Sequence, residues 1–439
     1  MEECSLLTGF AKVDYTPDFG VGLAGYGGDF DRRSTQVVAP VYITCVAARQ
    51  DGTTALLYTV DTCGLRIEHN RRFRKLITAA VGVPDTHIFF GAIHGHNCPT
   101  MVPEDEPTVA KTLELMDVAV VKAAKLALED LAETEIFGAK PELPGMNFTR
   151  HYRMEGGVRL MTSNFRRDIP IAGQLGPSDC QMVLVKFVRK GKKDIVLVNW
   201  QTHPDHAKDI GFSSIAAGFV GPLRDRLEKI SDCHVAYFTG ASANQSPLSL
   251  IPEQANGLPW DVYGDVLARK AYAAFGQMRP IRGSGIKTAR AILPVKINHS
   301  DDYRAVQAKE VLDAKTAGDT EKAKELRQAY GFVTDIHAIG VWMRSHMEEN
   351  DELELNALRI GGVAFACNTC ETFSDQGIHI KNYSPYEYTM MVTGNRSYLA
   401  SKQAFDYNAY EAVGGSAYYE RGTAENMADK LLELLVELN

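Results

Sequence analysis

Long hydrophobic runs are missing from this chain. None approaches the ~20 residues that a helix needs to cross a bilayer, so no transmembrane segment is expected. Basic blocks are missing as well. The formal net charge is -8 and no Lys/Arg cluster stands out, which argues against a nucleic acid partner. Cysteine is sparse: Cys4, Cys45, Cys63, Cys98, Cys180, Cys233, Cys367 and Cys370 are scattered over 439 residues. That is too few for a disulfide scaffold, so the thiols are read as reduced, in the core or at the edge of a site. Cys367 and Cys370 make one Cys-x-x-Cys, but no second pair completes a zinc knuckle and no thioredoxin-like context surrounds them. The start, Met1-Glu2-Glu3-Cys4, is acidic and lacks the basic and apolar regions of a secretory leader. A cytoplasmic location is therefore expected, or a secreted one if a leader has been removed. No Pro-, Gly- or Ser-rich linker and no internal repeat divides the chain, so one domain over 1–439 is expected.

What is present is a globular composition, 45% hydrophobic and 23% charged. Apolar runs rich in Val, Ile and Phe predict strands over Val41–Ala48, Ala55–Val60, His87–Ala92, Met182–Val188, Ile195–Trp200 and Val235–Phe238. Later strands are predicted over Gly285–Leu293, Glu354–Arg359 and Gly362–Cys367. Another strand-like segment begins near Gly9. Helical periodicity covers Ile67–Val81, Thr108–Leu131, Ala216–Ile230, Trp260–Gln277, Asp302–Tyr330 and Ala424–Leu438. The alternation predicts an α/β fold with mixed β-sheets flanked by helices. Asp302–Tyr330 is the most polar stretch and reads as a helical surface excursion, a lid or arm without chemistry of its own.

The richest segment is Gly91-Ala92-Ile93-His94-Gly95-His96-Asn97-Cys98-Pro99, just past a predicted strand. On an extended backbone, residues two apart face the same way, so His94 and His96 share a side, and Gly95 leaves room for a close approach. Three further polar signals stand just beyond predicted strands: His203-Pro204, Ala241-Ser242-Ala243-Asn244-Gln245-Ser246-Pro247, and Cys370-Glu371-Thr372. Ligands of α/β sheets gather at such strand ends. Two His and a carboxylate make up the ligand set of many hydrolytic zinc sites. The plainer reading is a set of loop histidines with ordinary hydrogen bonds and a salt-bridged Glu371.

In its ordered motifs the chain resembles the neutral ceramidases, zinc amidases that hydrolyse the N-acyl bond of ceramide in sphingolipid metabolism, and most of all the short bacterial relatives of their catalytic domain. The motifs are Gly9-Phe10-Ala11-Lys12-Val13-Asp14-Tyr15-Thr16-Pro17, Gly25-Tyr26-Gly27, the turn at Asp61, His94-Gly95-His96 and Phe148-Thr149-Arg150. They continue with Asn199–Pro204, Asn244-Gln245-Ser246-Pro247, Glu371, Tyr398 and Tyr410-Glu411. The resemblance implies Zn2+ held by His94, His203, Glu371 and Tyr398. It makes His96 an active-site group rather than a ligand, and places Ser246 beside the metal. It also makes Tyr410 a donor to the carbonyl oxygen and puts Arg150 near the substrate. Thr149 stands where the family has Asn, and Thr369-Cys370 where it commonly has Pro-Gly. No C-terminal immunoglobulin-like domain is expected.

The function these readings imply is zinc-dependent hydrolysis of an N-acyl amide, on a small-molecule or lipid substrate, with no oligomeric state read. The alternatives are a metal-dependent deacylase or esterase on a small polar or glycan-like substrate, and a pseudoenzyme that only binds a ligand. Ser246 is outside any Gly-x-Ser-x-Gly elbow, so it is not read as a nucleophile; Ser246-Pro247 also suits a turn. Asp61 is read either as orienting a ligand His or as capping a helix. His69 and His206 are read as surface groups.

Overall fold

The computed structural model describes residues 5–26, 32–157, 159–161, 170–332, 334–394, 397–406, 409–413 and 417–439. Cys4 and the rest of the acidic start lie outside these residues, as does Gly27 of the Gly-Tyr-Gly motif.

Two mixed sheets form the centre. The larger contains β1 (Leu7–Asp14), β2 (Tyr42–Gln50), β3 (Thr53–Val60), β4 (Ile88–Ala92), β5 (Ala132–Ala139), β6 (Val183–Arg189), β7 (Ile195–Trp200) and β8 (His234–Thr239). Their spatial order is β8-β7-β6-β5-β1-β2-β3-β4, with the short strand Arg279–Pro280 beside β5. Only β3–β4 and β7–β8 run parallel. The two halves of this sheet meet at a short junction, Leu7↔Glu133 and Thr8↔Ala132. The smaller sheet holds β9 (Ile286–Lys296), β10 (Asn350–Ile360), β11 (Val363–Asn368) and β12 (Tyr388–Thr393) in that order, with β11 and β12 parallel.

The alternation of side chains along these strands builds four layers. Val196, Val198 and Trp200 of β7 lie in one core with Phe73, Leu113, Leu223 and Leu267 of helices α1 (Ile67–Val81), α2 (Pro107–Glu129), α3 (Val220–Ser231) and α4 (Trp260–Ala273). Ile195 and Leu197 point the other way, into a core shared with Phe10, Phe89, Phe238, Leu358, Phe365 and Met390 between the two sheets. The outer face of the smaller sheet is covered by later helices through Ile380, Met427, Leu431 and Leu435. A strand with apolar layers on both faces reads as a continuous apolar run, which is why Ile195–Val198 stands out in the sequence. Each fully buried aliphatic or aromatic side chain contributes about 1.5–3 kcal/mol. Helix α2 starts where Glu106 accepts the amides of Thr108 and Val109, both at 2.9 Å, with Pro107 in the first turn. Its far end lies so close to β1 that a Cβ on Gly9 would stand 2.0 Å from the Ala127 carbonyl oxygen.

The predicted elements recur with two changes. Helix α3 begins at Val220 rather than Ala216, because residues 214–216 are extended against the histidine loop. There Asn97 donates to the Ser214 carbonyl at 2.9 Å, and the Ala216 amide donates to the Asn97 carbonyl at 3.1 Å. The excursion at 302–330 is not one helix. It breaks at Gly318-Asp319 into α5 (Ala305–Thr316) and α6 (Thr320–Ala329), with the Asp319 carboxylate capping the second. A third helix, α7 (Asp335–Arg344), joins them around Ala308, Val311, Phe332, Ala338 and Val341. The excursion therefore has a small core of its own. Among the described residues no helix is long and apolar enough to cross a membrane.

Candidate metal centre

Strand β4 delivers His94 into the space beyond the sheet, but not on an extended backbone. His94 has φ 62°, in the left-handed region that costs a non-glycine residue about 1 kcal/mol or more. The turn after β3 holds it there. Ile93 N donates to Val60 O at 3.0 Å and Gly95 N to Thr62 O at 3.2 Å. That turn is fixed in turn by Asp61, whose fully buried carboxylate accepts Arg224 Nη1 at 2.7 Å, Arg224 Nη2 at 2.6 Å and the Tyr42 amide at 2.9 Å. Asp61 thus neither orients a ligand His nor caps a helix. It is half of a buried ion pair that anchors the turn under the site.

The imidazoles are aimed from behind. His94 Nδ1 donates to the Cys63 carbonyl at 2.7 Å, and His203 Nδ1 to the Ser242 carbonyl at 2.9 Å. A carbonyl only accepts, so each Nδ1 carries the proton and each Nε2 points its lone pair inward. The two Nε2 atoms are 2.9 Å apart, and His96 Nε2 is 3.2 Å from that of His94. Glu371 Oε2 lies 3.3 Å from His94 Nε2 and 3.5 Å from His203 Nε2, and is buried without a hydrogen-bond donor. Its strand Glu371–Thr372 pairs in parallel with Tyr398–Leu399, so Glu371 and Tyr398 are register partners. Gly25, at φ +116°, lies against the other side of His96, where a Cβ would stand 2.5 Å from the ring Cγ.

Converging acceptors repel unless a proton or a cation sits among them. Burial by itself lowers the pKa of His94, but the Glu371 carboxylate and the Cys63 thiol outweigh it and raise it well above the usual value. His203 moves the other way: burial, then the charges of Arg150, His94 and His96, hold it well below. Burial would push the Cys63 thiol up, yet His94 and then His96 bring it down to about 6.

A second cluster adjoins the first. The Ala241–Pro247 segment beyond β8 pairs Gln245 and Ser246 with Thr149 and Phe148, which sets Arg150 beside Tyr398. Arg150 Nη2 donates to the Tyr398 hydroxyl at 3.1 Å and its Nε to Glu411 at 2.8 Å, while His151 Nε2 donates to the other Glu411 oxygen at 3.0 Å. Burial opposes ionisation of Glu411, but Arg150 and His151 win and hold it at about 2. Tyr410 packs edge-on to Tyr398, ring centroids 5.9 Å apart, and burial pushes its hydroxyl up to about 12. Ser246 is half-buried, and its Oγ accepts the Leu248 amide at 3.1 Å, the bond of a serine turn.

The expected residues His94, His96, His203, Glu371, Tyr398, Arg150, Tyr410 and Ser246 are therefore brought to one region. Cys63, Glu411, His151 and Asp205, which accepts a hydrogen bond from Tyr26, belong there too and had been given no role from the sequence. Glu411 stood in the Tyr410-Glu411 motif, His151 follows Arg150, and Asp205 follows His203-Pro204. The surface readings of His69 and His206 fail; they are 1% and 3% exposed. His69 accepts the Arg66 amide at the start of α1 and faces Glu104 at 3.2 Å, while His206 is walled by Phe219 and Tyr263. Cys367 and Cys370 do not act together: Cys367 is packed between the sheets and Cys370 in the outer core.

The inward donors, two imidazole nitrogens and a carboxylate oxygen within 4.8 Å of one another, fit a divalent cation such as zinc. In an ideal tetrahedral zinc site with bonds of ~2.0–2.1 Å, neighbouring ligand atoms stand roughly 3.3 Å apart, close to the separations here.

The same architecture exists in solved structures. The crystal structure of neutral ceramidase from Pseudomonas aeruginosa is similar over 100% of this chain and 75% of that one, with TM-score 0.72 and 15% identity. A ceramidase complexed with C2 is similar over 99% of this chain and 75% of its own, with TM-score 0.70 and 15% identity. The chain therefore has the fold of the neutral ceramidase catalytic domain. No protein-family model and no curated protein matches it.

Proposed function

We propose that this chain is a zinc-dependent hydrolase of N-acyl amides, with His94, His203 and Glu371 as metal ligands and Tyr398 as the fourth. The observation that carries the reading is the convergence of two Nε2 lone pairs and the donorless Glu371 oxygen, each imidazole aimed by a backbone carbonyl. The ceramidase fold supplies the reaction class. Bound zinc would supply Lewis acidity toward the scissile carbonyl and lower the pKa of water it holds toward neutrality. His96, beside His94 and braced by Gly25, takes a proton from the attacking water and returns it to the departing amine. Tyr410 stays protonated because it is buried, and donates to the oxygen of the breaking amide. Arg150, fixed by Glu411, keeps a positive charge beside Tyr398. Ser246 serves the turn that presents Arg150 and forms no covalent intermediate.

Zinc content and turnover of two variants test the assignment. His203→Ala is expected to lose the metal and, with it, activity. His96→Ala is expected to retain about one equivalent of zinc while turnover falls at least 10–100-fold. Equal metal loss in both would make His96 a ligand and refute the division of roles. Rate against acyl length at a fixed headgroup then assigns the substrate. A lipid tunnel gains ~0.8 kcal/mol per buried methylene and gives a steep rise, whereas a flat profile means a small polar amide.

A further inference from the structure

Tyr26 has no task in the hydrolytic reading, yet its ring meets His96 edge-on, with centroids 5.2 Å apart. Phe212 continues the wall: its ring centroid lies 4.9 Å from that of Tyr26, and the residue is 45% exposed. Both rings are held in place. Arg32 is buried against them, its guanidinium carbon 4.9 Å from the Tyr26 ring centre and 5.5 Å from that of Phe212. It donates to the Phe212 carbonyl at 3.1 Å and to the carbonyls of Ala24 and His96 at 2.5 Å each. Asn97 donates to the carbonyls of Gly211 at 3.1 Å and Ser214 at 2.9 Å, which pins the loop on both sides of Phe212. The Tyr26 hydroxyl donates to one oxygen of the half-buried Asp205, whose second oxygen has no donor among the described residues. The charges of His96 and Arg150 both bear on Asp205, so its carboxylate belongs to the rim of the site. We propose that Tyr26, Phe212 and Asp205 form the subsite for the amine half of the amide, and that this subsite selects amines carrying a hydrogen-bond donor over amines carrying a carboxylate.

The placement follows from the roles of the two groups beside it. Tyr410 donates to the amide oxygen and His96 returns a proton to the departing nitrogen. The nitrogen therefore faces His96, and its substituent leaves the centre along the flank of that imidazole, where Tyr26 stands. An aromatic wall accepts the carbon stem of the substituent by contact alone. Asp205 adds direction. An ionised carboxylate only accepts, so it matches a hydroxyl or an ammonium group and opposes a second carboxylate. The wall and the carboxylate together also suit the product amine once it is protonated. The nearby cations do not reverse this sign. Arg32 is engaged by three backbone carbonyls, and Arg150 by Glu411 and Tyr398. The orientation rests on the proposed roles of His96 and Tyr410, whereas the choice between a donor and a carboxylate is read from binding alone.

The test uses N-octanoyl ethanolamine and N-octanoyl glycine, which share one acyl chain and end in a hydroxyl or a carboxylate. Both are titrated by calorimetry into the full-length, metal-free protein, where neither is cleaved and no zinc captures the carboxylate. Circular dichroism confirms that each variant is folded. Wild type is expected to bind the ethanolamide roughly tenfold or more tightly than the glycine conjugate, and Asp205→Asn to bring the two within about threefold of each other. Phe212→Ala is expected to weaken both ligands by a similar factor and to leave their ratio unchanged. Wild-type protein that binds the two equally, prefers the glycine conjugate or binds neither overturns the subsite. A preference that survives in Asp205→Asn does so as well, and a Phe212→Ala variant that binds both as wild type does removes the wall from it. Turnover is then measured with zinc restored. The binding preference without hydrolysis of either amide would refute the hydrolytic reading and leave the donor-selective subsite standing.

Discussion

Glu411 makes the clearest quantitative prediction. It is fully buried and accepts two charge-assisted hydrogen bonds, from Arg150 at 2.8 Å and His151 at 3.0 Å. Its pKa is lowered from 4.5 to about 2 in the folded protein. The sign follows from the direction. A depressed carboxylate stabilises the fold fully at pH above its unfolded pKa, and that contribution is lost as pH falls from about 4.5 toward 2. At 1.36 kcal/mol per unit, the difference is about 3 kcal/mol near neutrality. Glu411→Gln keeps the shape but removes the charge, so it should lower stability by that order at pH 7 and by much less at pH 3. It should also loosen Arg150 from Tyr398. The assay is urea unfolding of both proteins across pH 3–7, plotted as the difference between them. A difference that stays constant across this range would refute the assignment of acid sensitivity to Glu411. A difference that grows toward low pH would reverse the sign of the argument.

Three other outcomes follow from the same geometry. Arg224→Met leaves the Asp61 carboxylate buried and unpaired, and should cost about 3–5 kcal/mol in denaturant unfolding; a loss under about 1 kcal/mol would show that the turn does not depend on the pair. Gly25→Ala places a Cβ against His96 on a backbone that side chains rarely adopt, and should cost about 1–3 kcal/mol. Turnover in that variant should fall while zinc content is kept, and equal loss of both would mean that Gly25 supports the ligands as well. Ser246→Ala should retain measurable hydrolysis, since loss of a true serine nucleophile costs on the order of 10⁶ in the protease case; stoichiometric labelling of Ser246 by a serine-directed reagent would overturn the water mechanism.

Much of the scaffold was legible because its strands are buried on both faces. Ile195–Trp200 and Ile88–Ala92 read as apolar runs whatever their partners, and Ile67–Val81 declares a helix through its period. Elements with weaker patterns escaped. Ala132–Ala139 mixes Glu and Thr with apolar residues, and Tyr388–Thr393 is a strand because it is enclosed between layers. The excursion read as solvated because α5 and α6 bury few residues against each other, and the helix that completes their core lies beyond Tyr330.

The candidate site divides in the same way. By itself the sequence placed the histidines at 94, 96 and 203 and the carboxylate at 371 just beyond apolar strands, where local strand and turn chemistry puts them at the mouth of a sheet. The tyrosines at 398 and 410 were marked only by the family resemblance of their motifs. Only the tertiary structure decided how these segments meet. The pairing of Glu371 with Tyr398, the two backbone carbonyls that aim His94 and His203, and the left-handed turn at His94 all come from contacts between distant parts of the chain. So do the burial of His69 and His206, the Asp61–Arg224 pair and the approach of Cys63. Side-chain direction and burial depend on neighbours supplied by other elements, and local residue spacing carries no record of them.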